Sequence, residues 1–439
     1  MSAPGTLPQH SHTPGTARAA LAYPAFTWIW LGLFASNVGT WMQNFTLPAY
    51  IDDRTESAAL VGLLVFMQLG PLLLLSIPAG VLADRFPRRA LLVAMQGLQM
   101  VFTLVLAALV ATDSPLWTVY VTQLVIGVGF ALGAPALQAS VPLLVARQDL
   151  SGAVALNSVM INGSRVLGPS LAAVLSVIGV TISGLFVVNA ATYLFLIAAI
   201  VLVRIPDVRG RHPERGWRRL LSGINIVTRR RVLSRSLVTM ALFSLLSLAY
   251  IGLFPSVARL NFGIDPTGAT YKWLYTVWGL GACAGALAVG TVLAAVDKRR
   301  LVVIGFLGFA VSLAAFALID SPVPAFPVGF LLGFCYFLTA TALITVVQHN
   351  VRDTERAVVM PLWFMAFGGT VPIGNLIFGP IIDAIGARPV MLGGAAVAVV
   401  LARYCDLRRL PESDFLPADE PYTHADVAAV NHHGIVAGD

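Results

Sequence analysis

The sequence predicts an all-α polytopic membrane protein, with 12 transmembrane helices arranged as two pseudo-symmetric bundles of six. Three observations support this prediction: long apolar stretches, a scarcity of charge, and one long polar segment near the middle of the chain. Of the 439 residues, 57% are hydrophobic and 11% are charged, and the mean hydropathy is +0.82. Because soluble domains carry about 25% charged residues, this chain cannot cover a surface that faces water.

The apolar stretches are long enough to cross a bilayer as helices. A helix of about 20 residues spans the roughly 30 Å of hydrocarbon, and backbone groups in lipid must bond to one another. The short alternating strands of a membrane barrel are not seen, so helices are the expected form. The predicted spans are 26–50, 58–82, 90–112, 115–145, 154–178, 182–204, 237–260, 269–295, 301–319, 324–349, 356–382 and 387–404.

The positions of the basic residues predict the orientation in the membrane. One set of loops holds Arg85, Arg147, the 204–235 segment and Arg352, whereas the opposite loops hold acids such as Asp52. Loops rich in Arg and Lys stay in the cytoplasm, so an even number of spans places both termini there. Lysine occurs only twice, and this arginine bias hints at a high-GC bacterial genome. We therefore expect a multi-pass protein of the bacterial inner (plasma) membrane.

Composition divides the chain into five regions. A polar segment separates six spans from six, and within it Trp217, Leu220, Leu221, Ile224 and Val227 recur at helical spacing opposite arginines. This pattern predicts an amphipathic helix on the cytoplasmic leaflet, with a solvated basic linker as the alternative. The expected regions are a disordered cytoplasmic tail at 1–21, an N-terminal bundle at 22–204, a linker at 205–235, a C-terminal bundle at 236–404 and a cytoplasmic tail at 405–439.

The two halves resemble each other in sequence. Gly129 and Asp149 of the first half recur as Gly333 and Asp353 of the second, at the same offset of 204 residues. In each half a Gly-rich span ends, a loop with an Asp follows, and the next span begins. Two parallel repeats joined by a linker are typical of a transporter that rocks about a site at their interface.

The decapeptide GVLADRFPRR lies in the predicted loop between the second and third spans. Gly80 lacks a side chain, so the second span can approach a helix of the other half closely. Asp84 can accept hydrogen bonds from a cation and can face the positive N-terminus of the eleventh span. With Arg85, Arg88 and Arg89 it is expected to form a gating latch that holds the cytoplasmic side shut in one state. The alternative is a loop whose charges only orient the protein.

This decapeptide resembles the signature of the major facilitator superfamily, a Gly followed by Asp-Arg and then Arg-Arg. The stretches VGTWMQNFTLPAYI and GAPALQASVPLLVARQDLSGAVALNSVMINGSRVLGPSLAAVL resemble the transmembrane secretion effector branch, which includes bacterial enterobactin exporters. The resemblance covers the first half well and the second half loosely. It implies the superfamily fold and the export, usually against protons, of siderophores, drugs or similar amphipathic molecules.

Polar groups inside a span are costly and are therefore candidates for function. Arg165 is the one full charge placed well inside a predicted span, where it can attract an anionic substrate or hold a gating network. The alternative is a structural arginine bonded to carbonyls or to Asn162. Gly168 and Pro169 follow it and resemble the Gly-Pro motif that kinks the fifth span of superfamily antiporters.

In this superfamily spans one, four, seven and ten line the central cavity, so the resemblance makes their polar residues candidates for substrate contact. Asn37, Trp41 and Asn44 share one helical face of the first span. The other candidates are Gln123, Gln138, Ser247, Tyr250, Tyr336 and Thr339. Aromatic rings with a few amides suit a large, partly apolar ligand, although packing between helices is the alternative role for each residue.

Coupling to protons rests on the resemblance alone. Superfamily antiporters usually carry an arginine where this chain has Gln123, and no acid lies deep in a predicted span. The carboxylates left as proton carriers are Asp84 and, at the outer face, Asp52, Asp53 and Asp383.

Several other classes of function are disfavoured. The net charge of +7 resides in short loops and forms no basic domain for nucleic acid. The three cysteines lack CxxC spacing, no P-loop is present, and no Ser–His–Asp grouping occurs, so no cofactor, metal site or catalytic residue is expected. The histidines of the C-terminal tail are interpreted as part of a solvated tail rather than as metal ligands.

The sequence therefore predicts a secondary active transporter and no enzyme. Its partners are expected to be the lipid bilayer, a small amphipathic organic substrate that is exported by alternating access, and protons moving the other way. The alternatives are a non-transporting membrane scaffold or sensor with this fold, and an importer.

Overall fold

The computed structural model describes residues 13–203 and 217–416, and all regular secondary structure within these ranges is helical. The first half, here called the N-half, contains α1 (Ala17–Leu21), α2 (Pro24–Thr55), α3 (Ala58–Arg85), α4 (Arg88–Ala111), α5 (Leu116–Ser140), α6 (Leu150–Val177) and α7 (Ile182–Leu202). Helix α8 (Trp217–Arg229) follows in the chain. The C-half contains α9 (Arg231–Leu246), α10 (Ala249–Gly252), α11 (Phe254–Phe262), α12 (Ala269–Gly290), α13 (Lys298–Leu318), α14 (Pro322–His349), α15 (Asp353–Phe364), α16 (Thr370–Ile385) and α17 (Ala387–Tyr404).

Each of the 12 predicted spans coincides with one helix or with a run of consecutive helices, and the predicted all-α fold class is confirmed. By length and hydropathy alone, nine stretches of the described residues are long and apolar enough to cross a membrane. The other three predicted spans correspond to α2, α6 and the run from α9 to α11. Polar side chains such as Asn162 and Arg165 lower the hydropathy of α6, and the run from α9 to α11 is interrupted twice.

Two spans of the C-half are broken. The seventh is divided into α9, α10 and α11, and Pro255, which lacks a backbone N–H, lies in the first turn of α11. The eleventh is divided into α15 and α16 by one π-helical turn, Met365–Gly369. Such interruptions inside a membrane bundle are tolerated where protein, and not lipid, surrounds them.

Asn375 of α16 lies where these two broken spans meet. A Cβ added at Gly252 of α10 would lie 2.3 Å from Asn375 Nδ2, so the missing side chain of Gly252 makes room for the amide. Asn375 is fully buried, and neither its Nδ2 nor its Oδ1 has a hydrogen-bond partner among the described residues.

The two halves are joined mainly by α3 against α16 and by α6 against α12. The Asp52 end is defined here as the end of the molecule where α2 finishes and α3 begins, and the Arg85 end is the opposite one. On α3 a Cβ added at Gly62, near the Asp52 end, would lie 2.3 Å from the Asn375 carbonyl oxygen. At mid-height, a Cβ added at Gly369 would lie 2.4 Å from Leu73 Cδ2.

The halves are apart nearer the Arg85 end. Gly80 lies on the same face of α3 as Gly62 because five helical turns separate them, yet a Cβ added there would meet no atom of the described part of the chain within 4 Å. Helix α12 repeats this pattern. A Cβ added at Gly279 would lie 3.5 Å from the Arg165 carbonyl oxygen, whereas one at Gly290 would meet nothing within 4 Å. The interface therefore opens toward the Arg85 end.

The prediction of a disordered tail through residue 21 is wrong for residues 13–21, which include α1. Asp149 fixes this segment to the N-half, because its Oδ1 accepts a hydrogen bond from Gly15 N at 3.0 Å and its Oδ2 from Tyr23 Oη at 2.8 Å. Ala20 is buried against the same bundle. The segment is too short and too polar for hydrophobic periodicity to reveal this anchor.

The C-terminal tail is also partly packed, and the prediction of a solvated tail is wrong for residues 405–416. Cys405 and Leu407 are fully buried in the core of the C-half. The backbone N of Leu416 donates a hydrogen bond to Asn350 Oδ1 at 3.0 Å. Apolar side chains early in the tail supply the burial that its overall acidity concealed.

Helix α8 occupies the predicted amphipathic segment, but it packs on the C-half. A Cβ added at Gly223 would lie 2.6 Å from the Val358 carbonyl oxygen of α15, and Val227 is buried. Leu221 and Ile224 are exposed and leave an apolar edge on the other side. The rest of the predicted linker and the outer parts of both tails lie outside the described residues.

Candidate functional site

A buried ion pair joins the two halves at the Asp52 end. Asp52, on α2, is completely buried, and its Oδ2 accepts a hydrogen bond from Arg259 Nε of α11 at 2.8 Å. Its Oδ1 accepts from Arg259 Nη2 at 3.2 Å and from Ser256 Oγ. A buried carboxylate is stable only where such donors replace water. Because these donors belong to the C-half, Asp52 keeps them only while the halves touch here.

A second carboxylate crosses the interface in the opposite direction. Asp383, near the end of α16, accepts hydrogen bonds from Ala58 N at 2.7 Å, Ala59 N at 3.0 Å and Ser57 Oγ at 2.7 Å. These groups form the N-terminus of α3, where unpaired N–H groups and the helix dipole favour an anion. A helix of the N-half is therefore capped by a side chain of the C-half.

An aromatic layer fills the interface two turns from Asp52 along α2. Phe45 stacks on Tyr271 of α12, with ring centroids 4.8 Å apart and planes inclined by 10°. Phe45 also meets Tyr275 at 4.8 Å, and Tyr275 contacts Trp278 at 5.2 Å. All four rings are buried. Aromatic pairs of this kind contribute about 0.5–1.5 kcal/mol each beyond their burial. Because the four rings are packed together and buried, this layer closes the space between the halves.

Arg165 of α6 lies where the aromatic layer ends. Its guanidinium carbon is 5.1 Å from the ring centroid of Trp41 in the N-half and 4.7 Å from that of Phe337 in the C-half. Both distances are within the range of cation–π attraction. The Nε atom is buried without a hydrogen-bond partner, and the titratable side chains that face the guanidinium are the phenols of Tyr275 and Tyr336.

The structural role considered for Arg165 is not supported by its contacts. Among the described residues no carbonyl and no carboxylate accepts a hydrogen bond from the guanidinium. Asn162 donates instead to the Ser158 carbonyl oxygen at 2.9 Å. Within the described ranges Arg165 therefore has no counter-charge, and aromatic faces of both halves hold it.

Gly168 sets the distance between α6 and α2 beside this site. A Cβ added at Gly168 would lie 2.7 Å from Met42 N and 2.7 Å from Trp41 Cβ. The backbones therefore approach closely only because the side chain is missing, as is common between helices in membranes. Pro169 lies within α6, which continues to Val177, and the kink predicted there stays a prediction.

The predicted cavity residues occupy different environments. Trp41 and Tyr336 surround Arg165, as described above. Tyr250 is buried and accepts a hydrogen bond from Trp278 Nε1 at 3.3 Å. Asn37 donates to the Leu33 carbonyl oxygen at 2.9 Å, and Asn44 is partly buried. The aromatic members of the predicted set thus lie nearest the interface.

The prediction that Gln123 lines the cavity is wrong. Its Oε1 accepts a hydrogen bond from Gln43 Nε2 at 3.2 Å, and Gln43 Oε1 accepts one from Asn189 Nδ2 at 2.7 Å. All three amides are buried inside the N-half, where they satisfy one another. The side chain of Gln138 lies outside the described residues.

The predicted gating latch is only partly visible. Among the described residues no atom lies within 4 Å of a Cβ added at Gly80, so the close approach expected there is not seen in this state. Arg85 is exposed, Arg88 is partly buried, and Arg89 donates to the Val201 carbonyl oxygen of its own half. The side chain of Asp84 lies outside the described residues, and the latch stays a prediction.

The contacts that close the Asp52 end were not predicted from the sequence. Asp52 and Asp383 were predicted as outer-face acids and candidate proton carriers, and no role was predicted for Arg259. One signal was available, since Arg259 is one of the few cations near loops that are mainly acidic. Within the described ranges, no group of three His, Cys, Asp or Glu side chains is arranged to hold a metal ion.

The chain is similar in sequence to a known family and to known exporters. Residues 15–436 match the model of the family described as transmembrane secretion effector. The enterobactin exporter EntS of Salmonella choleraesuis (strain SC-B67) is 25% identical over 334 residues, which cover 76% of this chain and 78% of that protein. EntS of Shigella boydii serotype 4 (strain Sb227) is 25% identical over 343 residues, or 78% of this chain and 81% of that protein.

Solved structures share the fold. A bacterial homologue of the human lysosomal transporter Spinster, in an inward-facing and unoccupied conformation, has a TM-score of 0.70 at 15% identity and covers 90% of this chain and 99% of its own. The nucleoside transporter NupG has a TM-score of 0.70 at 14% identity, with 88% of this chain and 100% of its own covered. At such low identities the similarity shows the fold alone.

Proposed function

Because this chain belongs to the transmembrane secretion effector family of the major facilitator superfamily, we propose that it exports amphipathic organic compounds by alternating access. Family membership establishes a membrane transporter and not an enzyme. The proposal adds the direction of transport, the nature of the cargo and the mechanism. It also places the protein in a bacterial inner membrane with both termini in the cytoplasm.

The observation that supports the proposal most directly is the one-sided contact between the halves. The interface is closed from Asp52 to the level of Arg165 and opens toward Gly80. A site at mid-height is then reached from the Arg85 end and shielded from the Asp52 end. If the basic loops lie in the cytoplasm, as their composition predicts, this state accepts cargo from inside the cell.

Release to the outside requires the contacts at the Asp52 end to break. Hydrogen bonds to charged groups contribute roughly 1.5–3 kcal/mol each, which is comparable to the few kcal/mol that separate the states of a two-state protein. A proton on Asp52 or Asp383 would remove the charge that holds each contact. Protons entering from outside could thereby favour opening at this end, and this supports proton antiport as the proposed coupling.

The signature decapeptide is proposed to act in the opposite state. When the Arg85 end closes, Gly80 would approach the C-half and Asp84 would face the N-terminus of α15. An Asp84→Asn variant should therefore retain its fold but transport more slowly. Normal transport by this variant would remove the latch from the mechanism.

Transport itself can be measured in inverted membrane vesicles with an acidic lumen. Uptake of a dye, a drug or a siderophore into these vesicles, driven by the pH gradient and lost when the gradient is collapsed, is the expected result. Movement in the opposite direction would indicate an importer. If none of the compounds moves, the remaining interpretation is a non-transporting membrane scaffold or sensor with this fold.

A reversible disulfide across the closed end tests whether transport requires this end to open. In a variant without native cysteines, Ser57→Cys with Asp383→Cys places two thiols across the closed Asp52 end, where the native side chains are 2.7 Å apart. Because the variant also lacks the Asp383 carboxylate, its oxidised form is compared with its own reduced form and not with the wild type. Oxidation should abolish the transport that the reduced variant shows, and reductant should restore it to that level. Transport that continues in the oxidised protein would contradict alternating access.

A further inference from the structure

We infer that Arg165 recognises the cargo and that the cargo is an aromatic anion, a ring system carrying a carboxylate or an ionised phenol. This inference rests on the proposed function, since it assigns the transported compound to the interface between the halves. It narrows that function from amphipathic compounds in general to one chemical class.

The charge of Arg165 is the first reason. In the part of the chain that the structure describes, its Nε is buried without a hydrogen-bond acceptor, and the titratable groups that face the guanidinium are the phenols of Tyr275 and Tyr336. An uncompensated charge at this depth is costly in a membrane protein, and such groups usually mark a pathway or a ligand site. A ligand carboxylate would supply the missing counter-charge, and the planar guanidinium matches its two oxygens.

The rings around Arg165 are the second reason. Trp41 and Phe337 lie 5.1 and 4.7 Å from the guanidinium carbon, and Tyr336 stacks on Trp278 at 6.2 Å. Rings of this kind stack with aromatic ligands as well as with the guanidinium. An aliphatic anion would satisfy Arg165 but would leave these ring faces unused.

The position of Arg165 in the molecule is the third reason. Trp41 belongs to the N-half and Phe337 to the C-half, so both halves contribute to the surroundings of one cation. Contact between the halves ends near this level, because a Cβ at Gly279 would touch the Arg165 backbone and one at Gly290 would touch nothing. A ligand that enters from the Arg85 end would therefore meet Arg165 at the limit of its path. When the halves move relative to each other, the rings of Trp41 and Phe337 separate and no longer enclose the same cation.

The rival explanation is that Arg165 only pins the halves together through its rings. Equilibrium dialysis of the full-length protein in detergent can separate the two, with 2-naphthoate and its neutral isostere 2-naphthamide as probes. The wild type should bind 2-naphthoate about tenfold or more tightly than 2-naphthamide, the factor expected for one hydrogen bond to a charged group. Arg165→Gln should lose this preference and bind 2-naphthamide nearly as before. Arg165→Lys should keep a preference for the anion because it keeps the charge.

Lys272→Gln is the matched control. Lys272 is a largely buried cation at the same interface, and its Nζ donates to Ser176 Oγ at 2.9 Å, farther toward the Asp52 end. This variant should keep the preference for 2-naphthoate. Equal binding of both probes by the wild type would overturn the inference. The inference would also be overturned if Arg165→Gln bound neither probe and unfolded at a lower temperature, and if Arg165→Lys likewise showed no preference for the anion.

The inference and the proposed function can fail separately. Vesicles that export neutral dyes as well as anionic ones would refute the inference and leave export standing. Vesicles that export nothing, with a clear preference for 2-naphthoate in dialysis, would refute export and leave an anion site in the protein.

Discussion

Arg259 of the C-half donates its Nε hydrogen bond to a carboxylate of the N-half, Asp52, at 2.8 Å, and no part of Asp52 is exposed to solvent. The pair therefore holds the two halves together at this end. Its contribution depends on the state of the transporter, because opening at the Asp52 end separates donor from acceptor.

Arg259→Gln should shift the population toward a state that is open at the Asp52 end. Removing one partner of a buried pair leaves the other uncompensated, and a loss of roughly 1.5–3 kcal/mol corresponds to a shift of tenfold or more. Spin labels at Glu56 and Thr270, on exposed positions of the two halves, would report a longer distance. The label positions require a background without Cys283, Cys335 and Cys405.

Arg54→Gln is the control for this experiment. Arg54 pairs with Asp113 at 3.0 Å, but both residues belong to the N-half and the pair is exposed. Exposed pairs contribute little, and this one does not join the halves. The distance distribution should stay as in the wild type, and a shift equal to that of Arg259→Gln would contradict the role assigned to Arg259.

Asp383→Ala should loosen the N-terminus of α3. Loss of a capping carboxylate costs about 0.5–2 kcal/mol, and here the cap comes from the other half. Hydrogen–deuterium exchange at the amides of Ala58 and Ala59 should become faster. Asp320→Ala removes an exposed ion pair with Arg388 within the C-half and should leave this exchange unchanged.

Gly168→Val should destabilise the protein by roughly 1–3 kcal/mol, the usual cost of overpacking. The new side chain would collide with the backbone of α2 and push Trp41 away from Arg165. Thermal unfolding in detergent should show the loss. Gly97→Val is a comparison inside α4, where an added Cβ meets no atom within 4 Å; an equal loss there would show that helix propensity alone is responsible.

Tyr23→Phe should loosen the N-terminal segment, because it removes the Tyr23 hydrogen bond to Asp149 and keeps the one from Gly15. Tyr23 Oη donates to Asp149 at 2.8 Å, and this hydrogen bond raises the pKa of the Tyr23 phenol. Trypsin should therefore cut after Arg18 faster in the variant than in the wild type. Since the folded protein favours the protonated phenol, the anchor is fully present below pH about 10 and is lost as the pH rises through the raised pKa. Cleavage at an unchanged rate would contradict the anchor.

Much of the fold could be predicted because it depends on local composition. Hydropathy locates the apolar stretches, and the repeat of Gly129 and Asp149 at Gly333 and Asp353 indicates two related halves. Arg165 also stood out, since a charge in an apolar stretch is visible without any structure. These features are properties of single segments.

The contacts between segments could not be predicted in this way. The partners of Asp52 are 204 and 207 residues away in the chain, and those of Asp383 are more than 300 away. Gln123 shows the opposite error, because its helix lies in the expected place but its side chain is turned into the bundle toward Gln43. A rotation of one helix by less than half a turn decides whether a residue faces a cavity or a neighbour, and composition does not fix that rotation.

The unpartnered amide of Asn375 lowers the stability of the closed Asp52 end. A buried polar group without partners costs about 1–3 kcal/mol, and among the described residues neither side-chain atom of Asn375, beside the broken helices α10 and α16, has one. Exposure of this amide to solvent as the halves part would remove that cost. The free energy recovered at this one side chain would then offset part of the cost of breaking the carboxylate contacts around it.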